Sequence, residues 1–211
     1  MVVAFSSGAA PVLAHPHIFI DAGLIVVFNA RGEVASIRHR WVFDAAMSAW
    51  QTQGMDADRD GIVEEAELSG IASETMRGLA PLRFYTKAGE GLGNLPLASM
   101  DDARMWTEDG RTILEYGLEP QSPYRIAERL EIAVYDPEYY VAFSFDDPSA
   151  VALENAPAGC GIGIEPPRRL SPELEAQLYS LPPTMTSLPP ELAAALRGRE
   201  GAVVVICEAA P

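Results

Sequence analysis

The chain has little positive charge and no long apolar run. Lys and Arg together number 15 against 30 Asp and Glu, which gives a formal net charge of −15 at pH 7. Binding a phosphate backbone requires clustered Lys and Arg, so this composition argues against a nucleic-acid partner. A membrane-spanning helix needs roughly 18–20 apolar residues in succession, and no stretch of the sequence approaches that length. We therefore expect a protein that is not embedded in a membrane.

Common catalytic signatures are also missing. The sequence contains neither G-x-S-x-G nor H-E-x-x-H, which excludes the hydrolases and zinc proteases that carry those patterns. The glycine-rich stretch at residues 89–93 lacks the Lys of a phosphate-binding loop. We assign no catalytic residue, and an enzyme is the less favoured class.

Cysteine is scarce, with Cys160 and Cys207 as the two examples in 211 residues. They do not form a C-x-x-C metal pattern, and an even count in an exported protein favours a disulfide. The bridge would join the last predicted strand, residues 202–207, to a strand at residues 161–164. It would close a loop of roughly 50 residues and stabilise the fold by around 4 kcal/mol. Two buried free thiols are the alternative.

One acidic stretch carries the strongest chemical signal. Residues 56–67, DADRDGIVEEAE, match every position of the EF-hand calcium-loop pattern D-x-[DN]-x-[DN]-G-x₅-E. Calcium takes roughly 6–8 oxygen ligands, and this spacing curls that many oxygens around one point. The expected ligands are Asp56, Asp58, Asp60, the carbonyl of Ile62, Glu64 through water, and bidentate Glu67.

The residues around this loop favour an inserted helical EF-hand at about residues 43–80. Apolar residues recur at helical spacing over residues 64–79, whereas the apolar face before the loop is weakened by Gly54. The chain contains a single such loop, and EF-hands that act as sensors usually work in pairs. We therefore expect a structural calcium ion rather than a sensor. A solvated acidic turn is the alternative.

The N-terminus suggests export and a second metal site. Residues 1–14, MVVAFSSGAAPVLA, resemble the remnant of a signal peptide, and cleavage after Ala14 would make His15 the first residue. On an extended strand His15, His17 and Asp21 would share one face with Phe19. Imidazoles, a carboxylate and a free α-amine could then bind zinc, nickel, cobalt or copper. Because Pro16 has no amide hydrogen, the common amide chelate of copper or nickel is blocked.

Two alternatives to this histidine site stay open. The first is an ordinary processed tail with two surface histidines. The second concerns His39, which lies between Arg38 and Arg40 on the second predicted strand. The two cations weaken it as a ligand, and it would become a candidate if the hairpin placed it opposite His17.

The coarse pattern predicts an α+β fold, with a mostly antiparallel, β-sandwich-like body and the helical EF-hand inserted early. The mature chain, residues 15–211, is expected to be a single domain. Strands are predicted at residues 17–28 and 33–42, joined by a turn, and again at residues 82–87. Residues 129–135 and 139–145 alternate well and are predicted to form a hairpin around Asp136-Pro137-Glu138.

Five short motifs follow one another along the chain: HPHIFID at residues 15–21, RWVFD at 40–44, DADRDG at 56–61, VYDPEYYVAF at 134–143 and PAGC at 157–160. Together they resemble the domain-of-unknown-function 1007 family. The resemblance implies an exported periplasmic component of uncharacterised ABC-type transport systems, often associated with transition metals. It supplies no known activity.

The favoured function is therefore a periplasmic, calcium-stabilised metal-binding accessory protein linked to transition-metal transport. Its expected partner is a membrane metal transporter. One alternative is a calcium-stabilised interaction or adhesion module without a transported metal. The other is a copper enzyme with an N-terminal histidine brace.

Overall fold

A computed structural model describes residues 16–182, 185 and 187–208. The predicted signal remnant and His15 lie outside the described residues. The strands are β1 (Ile18–Phe28), β2 (Val34–Phe43), β3 (Thr86–Gly89), β4 (Leu97–Ser99), β5 (Arg104–Glu108), β6 (Arg111–Pro120), β7 (Arg129–Val134), β8 (Val141–Ser144), β9 (Val151–Glu154), β10 (Cys160–Glu165) and β11 (Ala202–Cys207). The helices are α1 (Ala45–Thr52), α2 (Glu65–Leu79), α3 (Pro172–Tyr179) and α4 (Pro190–Leu196). Within these described ranges no helix combines the length and apolarity needed to cross a membrane.

The first two strands form the predicted hairpin. Every second residue of β1 is buried, from Ile20 to Phe28, and the residues between them face outward. This period of two is what a strand with one face on the core requires. In the turn, the Asn29 side chain accepts hydrogen bonds from the backbone N–H of Arg31 at 2.8 Å and of Glu33 at 3.1 Å.

The strands form two sheets. The larger has seven strands in the order β4-β6-β2-β1-β8, with β5 paired to β6 and β9 paired to β1. The smaller has the order β10-β11-β7-β3. Most neighbours are antiparallel, but β1 pairs in parallel with β8 along its first half and with β9 along its second.

One buried cluster joins the inner faces of both sheets. Residues with 2% exposure or less come from the larger sheet, from the smaller sheet and from α2: Leu24, Ile37, Trp41, Leu114 and Leu118; Leu130, Ile132, Val203 and Val205; and Leu68 and Ala72. Burying apolar surface between two layers is the main stabilising contribution to such a domain. The α+β class with mostly antiparallel strands is thus confirmed, and the shared core agrees with a sandwich-like body.

The hairpin predicted over residues 129–145 is wrong, although both of its strands exist. β7 belongs to the smaller sheet, between β11 and β3, whereas β8 belongs to the larger sheet beside β1. The connection is turned by Asp136, which is only 7% exposed. Its carboxylate accepts hydrogen bonds from the backbone N–H of Glu138, Tyr140 and Val141 at 2.9–3.0 Å. This local network directs the chain from one sheet to the other instead of folding it back.

The strand predicted at residues 82–87 is also largely wrong. Residues 80–85 form two short turns that meet at a kink at Arg83, and β3 begins only at Thr86. Pro81 at the start favours a helical turn, and Arg83, Phe84 and Tyr85 have φ between +52° and +55°. Left-handed residues cannot continue a strand, so the apolar pattern here serves packing rather than pairing.

The C-terminal part is fastened by the predicted disulfide. Cys160 and Cys207 are directly opposite in the β10–β11 register and are bonded, with Cα atoms 4.0 Å apart. The proline-rich segment before β11 holds α3 and α4 in a small separate cluster of Leu174, Leu178, Leu188 and Leu192.

Candidate metal centre

Helix α1 leads into the acidic loop and is anchored to the sheet at its start. Asp44 caps it by accepting hydrogen bonds from the backbone N–H of Ala46 and Met47 at 2.8 and 2.9 Å. The other oxygen of Asp44 accepts the N–H of Phe19 at 2.9 Å. Further along, the buried Ser48 hydroxyl accepts the backbone N–H of Thr112 on β6 at 2.9 Å. These polar contacts fix the approach to the loop because each would leave an unsatisfied group if broken.

The loop itself gathers carboxylates around one point. One oxygen each of Asp56, Asp58 and Asp60 lies within 4.8 Å of the others. The Asp56 carboxylate accepts the backbone N–H of Asp60 at 3.1 Å and of Gly61 at 3.0 Å. Gly61 has φ +89°, a conformation that a residue with a Cβ adopts only under strain, so glycine is required at this turn. The side chains are therefore turned inward by the backbone of the loop.

Glu67 joins the two ends of the loop. One of its carboxylate oxygens accepts the backbone N–H of Ala57 at 2.6 Å. The other accepts the N–H of Glu64 at 3.0 Å, at the start of α2. The residue that the sequence assigns as the bidentate ligand is thus held near both ends of the loop. Glu64 is exposed at the start of α2, where its side chain and that of Glu67 form a capping box.

Helix α2 is fixed to the body by its apolar stripe and by β5. Leu68, Ala72, Met76 and Leu79 are its buried residues, at the spacing of one helical face. At its first turn, Glu65 receives two hydrogen bonds from the Arg104 guanidinium, both at 2.7 Å. This contact lowers the pKa of Glu65. The loop therefore lies between two helices that are each attached to the sheets.

The electrostatics of the loop favour a cation. Three carboxylates within 4.8 Å repel one another, by roughly 1 kcal/mol for a pair at 4 Å even in water. Glu64, Glu65 and Glu67 add three more acidic groups, of which Glu65 is paired with Arg104, against one cation, Arg59, within the loop. A hard divalent ion bound by oxygens would convert this repulsion into attraction.

Of the N-terminal histidine set, the structure describes His17 and Asp21, and these two side chains lie apart. His17 is half-buried, its backbone N–H donates to the Tyr140 carbonyl at 2.9 Å, and its ring lies 4.7 Å from the Tyr140 ring. Asp21 lies four residues further along β1, about 13 Å away at the usual rise of a strand. Its carboxylate pairs with Arg111 at 2.7 Å. Among residues 16–182, 185 and 187–208, three potential metal-ligating side chains come within 4.8 Å of one another only at Asp56, Asp58 and Asp60.

His39 lies in the core and is not opposite His17. It pairs with Leu24 across the hairpin, and its ring stacks on Tyr116 with centroids 4.7 Å apart. Thr86 Oγ1 lies 3.3 Å from His39 Nε2. Burial lowers the pKa of His39 to about 3, so the imidazole is neutral near pH 7. His39 was a candidate metal ligand only if it lay opposite His17, and it does not.

Sequence reasoning did not identify the residues that hold the loop from outside. Thr107 on β5 donates from its hydroxyl to the Val63 carbonyl at 3.0 Å, and Thr112 on β6 holds α1. Neither lies near the loop in sequence, and each is a single Thr within an ordinary strand pattern. No local signal points to either residue.

A family model described as a protein of unknown function, DUF1007, matches residues 1–195. That range covers the hairpin, the acidic loop and most of both sheets. No curated protein matches the chain. Since the match spans well over half of the sequence, the chain belongs to the DUF1007 family.

Proposed function

We propose that this chain binds one calcium ion in the loop at residues 56–67 and that the ion is structural. The observation that carries the proposal is the convergence of the Asp56, Asp58 and Asp60 carboxylates within 4.8 Å, around the turn at Gly61. Glu67, at the twelfth position, already contacts the backbone at both ends of the loop. Bound calcium would replace the mutual repulsion of these groups and would stabilise the folded state by mass action.

A structural role is favoured over sensing because both helices are attached to the sheets. A calcium sensor opens its helix pair and exposes an apolar groove. Here Ser48 and Gln51 of α1 are buried against Thr112 of β6, and Leu68 of α2 is fully buried in the core. Opening the pair would break buried hydrogen bonds and expose core surface, which costs several kcal/mol.

The experiment is a calcium titration by calorimetry, with thermal unfolding in parallel, on wild type, Glu67→Gln and Glu74→Gln. Glu74 is an exposed residue of α2 outside the loop and is the matched control. We expect one ion per chain, with about 4 kcal/mol of added stability at calcium a thousand times above Kd. Glu67→Gln should weaken binding at least tenfold because a bidentate carboxylate becomes a neutral amide, and Glu74→Gln should behave as wild type. If calcium produces no binding heat and no change in melting temperature in the wild-type protein, the loop is a solvated acidic turn.

The wider role that we propose is an exported metal-binding accessory of a membrane transition-metal transporter. The Cys160–Cys207 disulfide supports an oxidising compartment, and the motifs at residues 15–21 and 134–143 support the transport context. The two motifs also meet in space, since His17 contacts Tyr140.

Metal analysis of protein isolated from the exported fraction of its host tests this role, with the mature N-terminus determined by mass spectrometry. Zinc, nickel or cobalt bound in addition to calcium supports it. Calcium alone supports the interaction or adhesion module. Redox-active copper supports the enzyme with a histidine brace.

A further inference from the structure

Strand β5 runs beside the calcium loop and holds one peptide group of it. The peptide between Val63 and Glu64 is fixed at both ends. Its carbonyl accepts the Thr107 hydroxyl at 3.0 Å, and its N–H donates to the Glu67 carboxylate at 3.0 Å. The Val63 side chain packs against the main core. This peptide therefore connects β5 to the assigned bidentate ligand.

A second contact holds β5 in this position. The Arg104 guanidinium makes two hydrogen bonds of 2.7 Å with Glu65, two residues beyond Val63. Paired charges in this two-point geometry resist sliding as well as separation. The strand is thus attached to the loop by a hydroxyl on one side and to the first turn of α2 by an ion pair on the other.

We propose that β5 takes the place of a second calcium loop and that Thr107 is a positioning residue for the calcium site. This inference rests on the proposed calcium function. The Thr107 hydroxyl fixes the plane of the Val63–Glu64 peptide. The preceding peptide, whose Ile62 carbonyl is the assigned backbone ligand, shares the Val63 Cα, so its orientation is restricted as well. The N–H of the fixed peptide also orients Glu67. A ligand set that is oriented before the ion arrives binds with less loss of conformational freedom.

The same arrangement predicts that the loop works as a single copy. Because β5 already contacts the loop at the Val63 carbonyl, we expect calcium binding to need no second chain. The stoichiometry should be one ion per chain without cooperativity, and the molecular mass in solution should not change with calcium.

The test compares wild type, Thr107→Val, Thr107→Ser and Thr75→Val. Valine keeps the shape of Thr107 without the donor, serine keeps the donor, and Thr75→Val makes the same change on α2 away from the loop. Calorimetry gives the calcium Kd, and terbium luminescence gives a second measure. Trp106 can sensitise terbium, since it lines a hollow of about 390 Å³ together with Ile62, Val63 and Glu64. Melting temperatures in EDTA report stability without the ion.

Thr107→Val should raise the calcium Kd by about twofold to tenfold, the range for one lost hydrogen bond. Thr107→Ser and Thr75→Val should stay near the wild-type Kd. The Thr107→Val melting temperature in EDTA should fall by about 2–4 °C, because one hydrogen bond of the ion-free fold is lost. Wild type that binds calcium with the same Kd as Thr107→Val overturns this inference and leaves the calcium function standing. Equal weakening by serine and valine overturns the role of the hydroxyl. Calcium-driven dimerisation overturns the role of β5, and wild type that binds no calcium overturns both proposals.

Discussion

The Arg111 guanidinium meets the Asp21 carboxylate at 2.7 Å, although the two residues lie 90 positions apart in the chain. Arg111 also donates to the backbone carbonyls of Val42, at 3.2 Å, and of Phe43. One side chain thus joins the first residue of β6 to β1 and to the end of β2. Asp21, which the sequence suggested as a metal ligand, is thereby engaged in a structural contact.

Removing Arg111 should cost more stability than removing the charge of Asp21. Asp21 is mostly exposed, so Asp21→Asn should cost less than about 1 kcal/mol. Arg111→Ala leaves two partly buried carbonyls without a charged donor and should cost about 1–3 kcal/mol. Urea unfolding of both variants measures the difference. A larger loss for Asp21→Asn would show that the ion pair, not the carbonyl contacts, stabilises this corner.

Transition-metal binding at His15 and His17 stays a prediction, and Asp21 now provides a control for it. Zinc, copper and nickel should bind the form that begins at His15 through imidazoles and the α-amine. An N-terminal extension should weaken binding, and His17→Ala should weaken it further, whereas Asp21→Asn should not. The measurement is a metal titration of all four proteins. Equal affinity across them would place the site elsewhere and favour the interaction module.

Stability should fall in acid because of His39. Burial lowers its folded pKa to about 3 from the usual 6.5, so the unfolded chain takes up a proton that the folded chain does not. This contribution is fully present above pH 6.5 and is lost as pH falls from about 6.5 towards about 3. It amounts to about 2.5 kcal/mol between pH 7 and pH 4.5.

His39→Gln isolates this contribution, because the carboxylates of the two proteins are the same. Urea unfolding in EDTA at several pH values should show a shallower acid slope for the variant than for wild type. Parallel slopes for the two proteins would mean that His39 is accessible to protons in the folded state.

The disulfide should contribute substantially to stability. It closes a loop with a sequence separation of 47, which corresponds to about 4 kcal/mol if the effect lies in the unfolded chain. The paired substitution Cys160→Ala with Cys207→Ala should lower the free energy of unfolding by that order. Alkylation of the unreduced protein should label neither cysteine, and full labelling would contradict the bond.

The sequence predicted best the features that are encoded locally. The turn at Asn29 and the alternation of β1 each depend on neighbours within a few residues, and both are found as expected. The spacing of the acidic loop likewise brings Asp56, Asp58 and Asp60 together, whereas calcium binding there stays a prediction. The pairing partners of the strands were not predictable in this way, because alternation of apolar residues specifies a strand but not its neighbour. The strands around Asp136 were therefore recognised, whereas their separation into two sheets was not. Thr107 shows the same limit, since its role depends on a contact 44 residues away.

One edge of β1 stays unpaired until late in the synthesis of the chain. One edge of β1 is covered by β2, which follows at once, but the other is covered only by β8 and β9, at Val141–Ser144 and Val151–Glu154. A chain that leaves a ribosome or crosses a membrane from its N-terminus carries this open edge for most of its length. Unpaired strand edges are templates for pairing between molecules. Fragments that end before residue 141 should therefore aggregate, and factors that shield nascent chains would act mainly before that point.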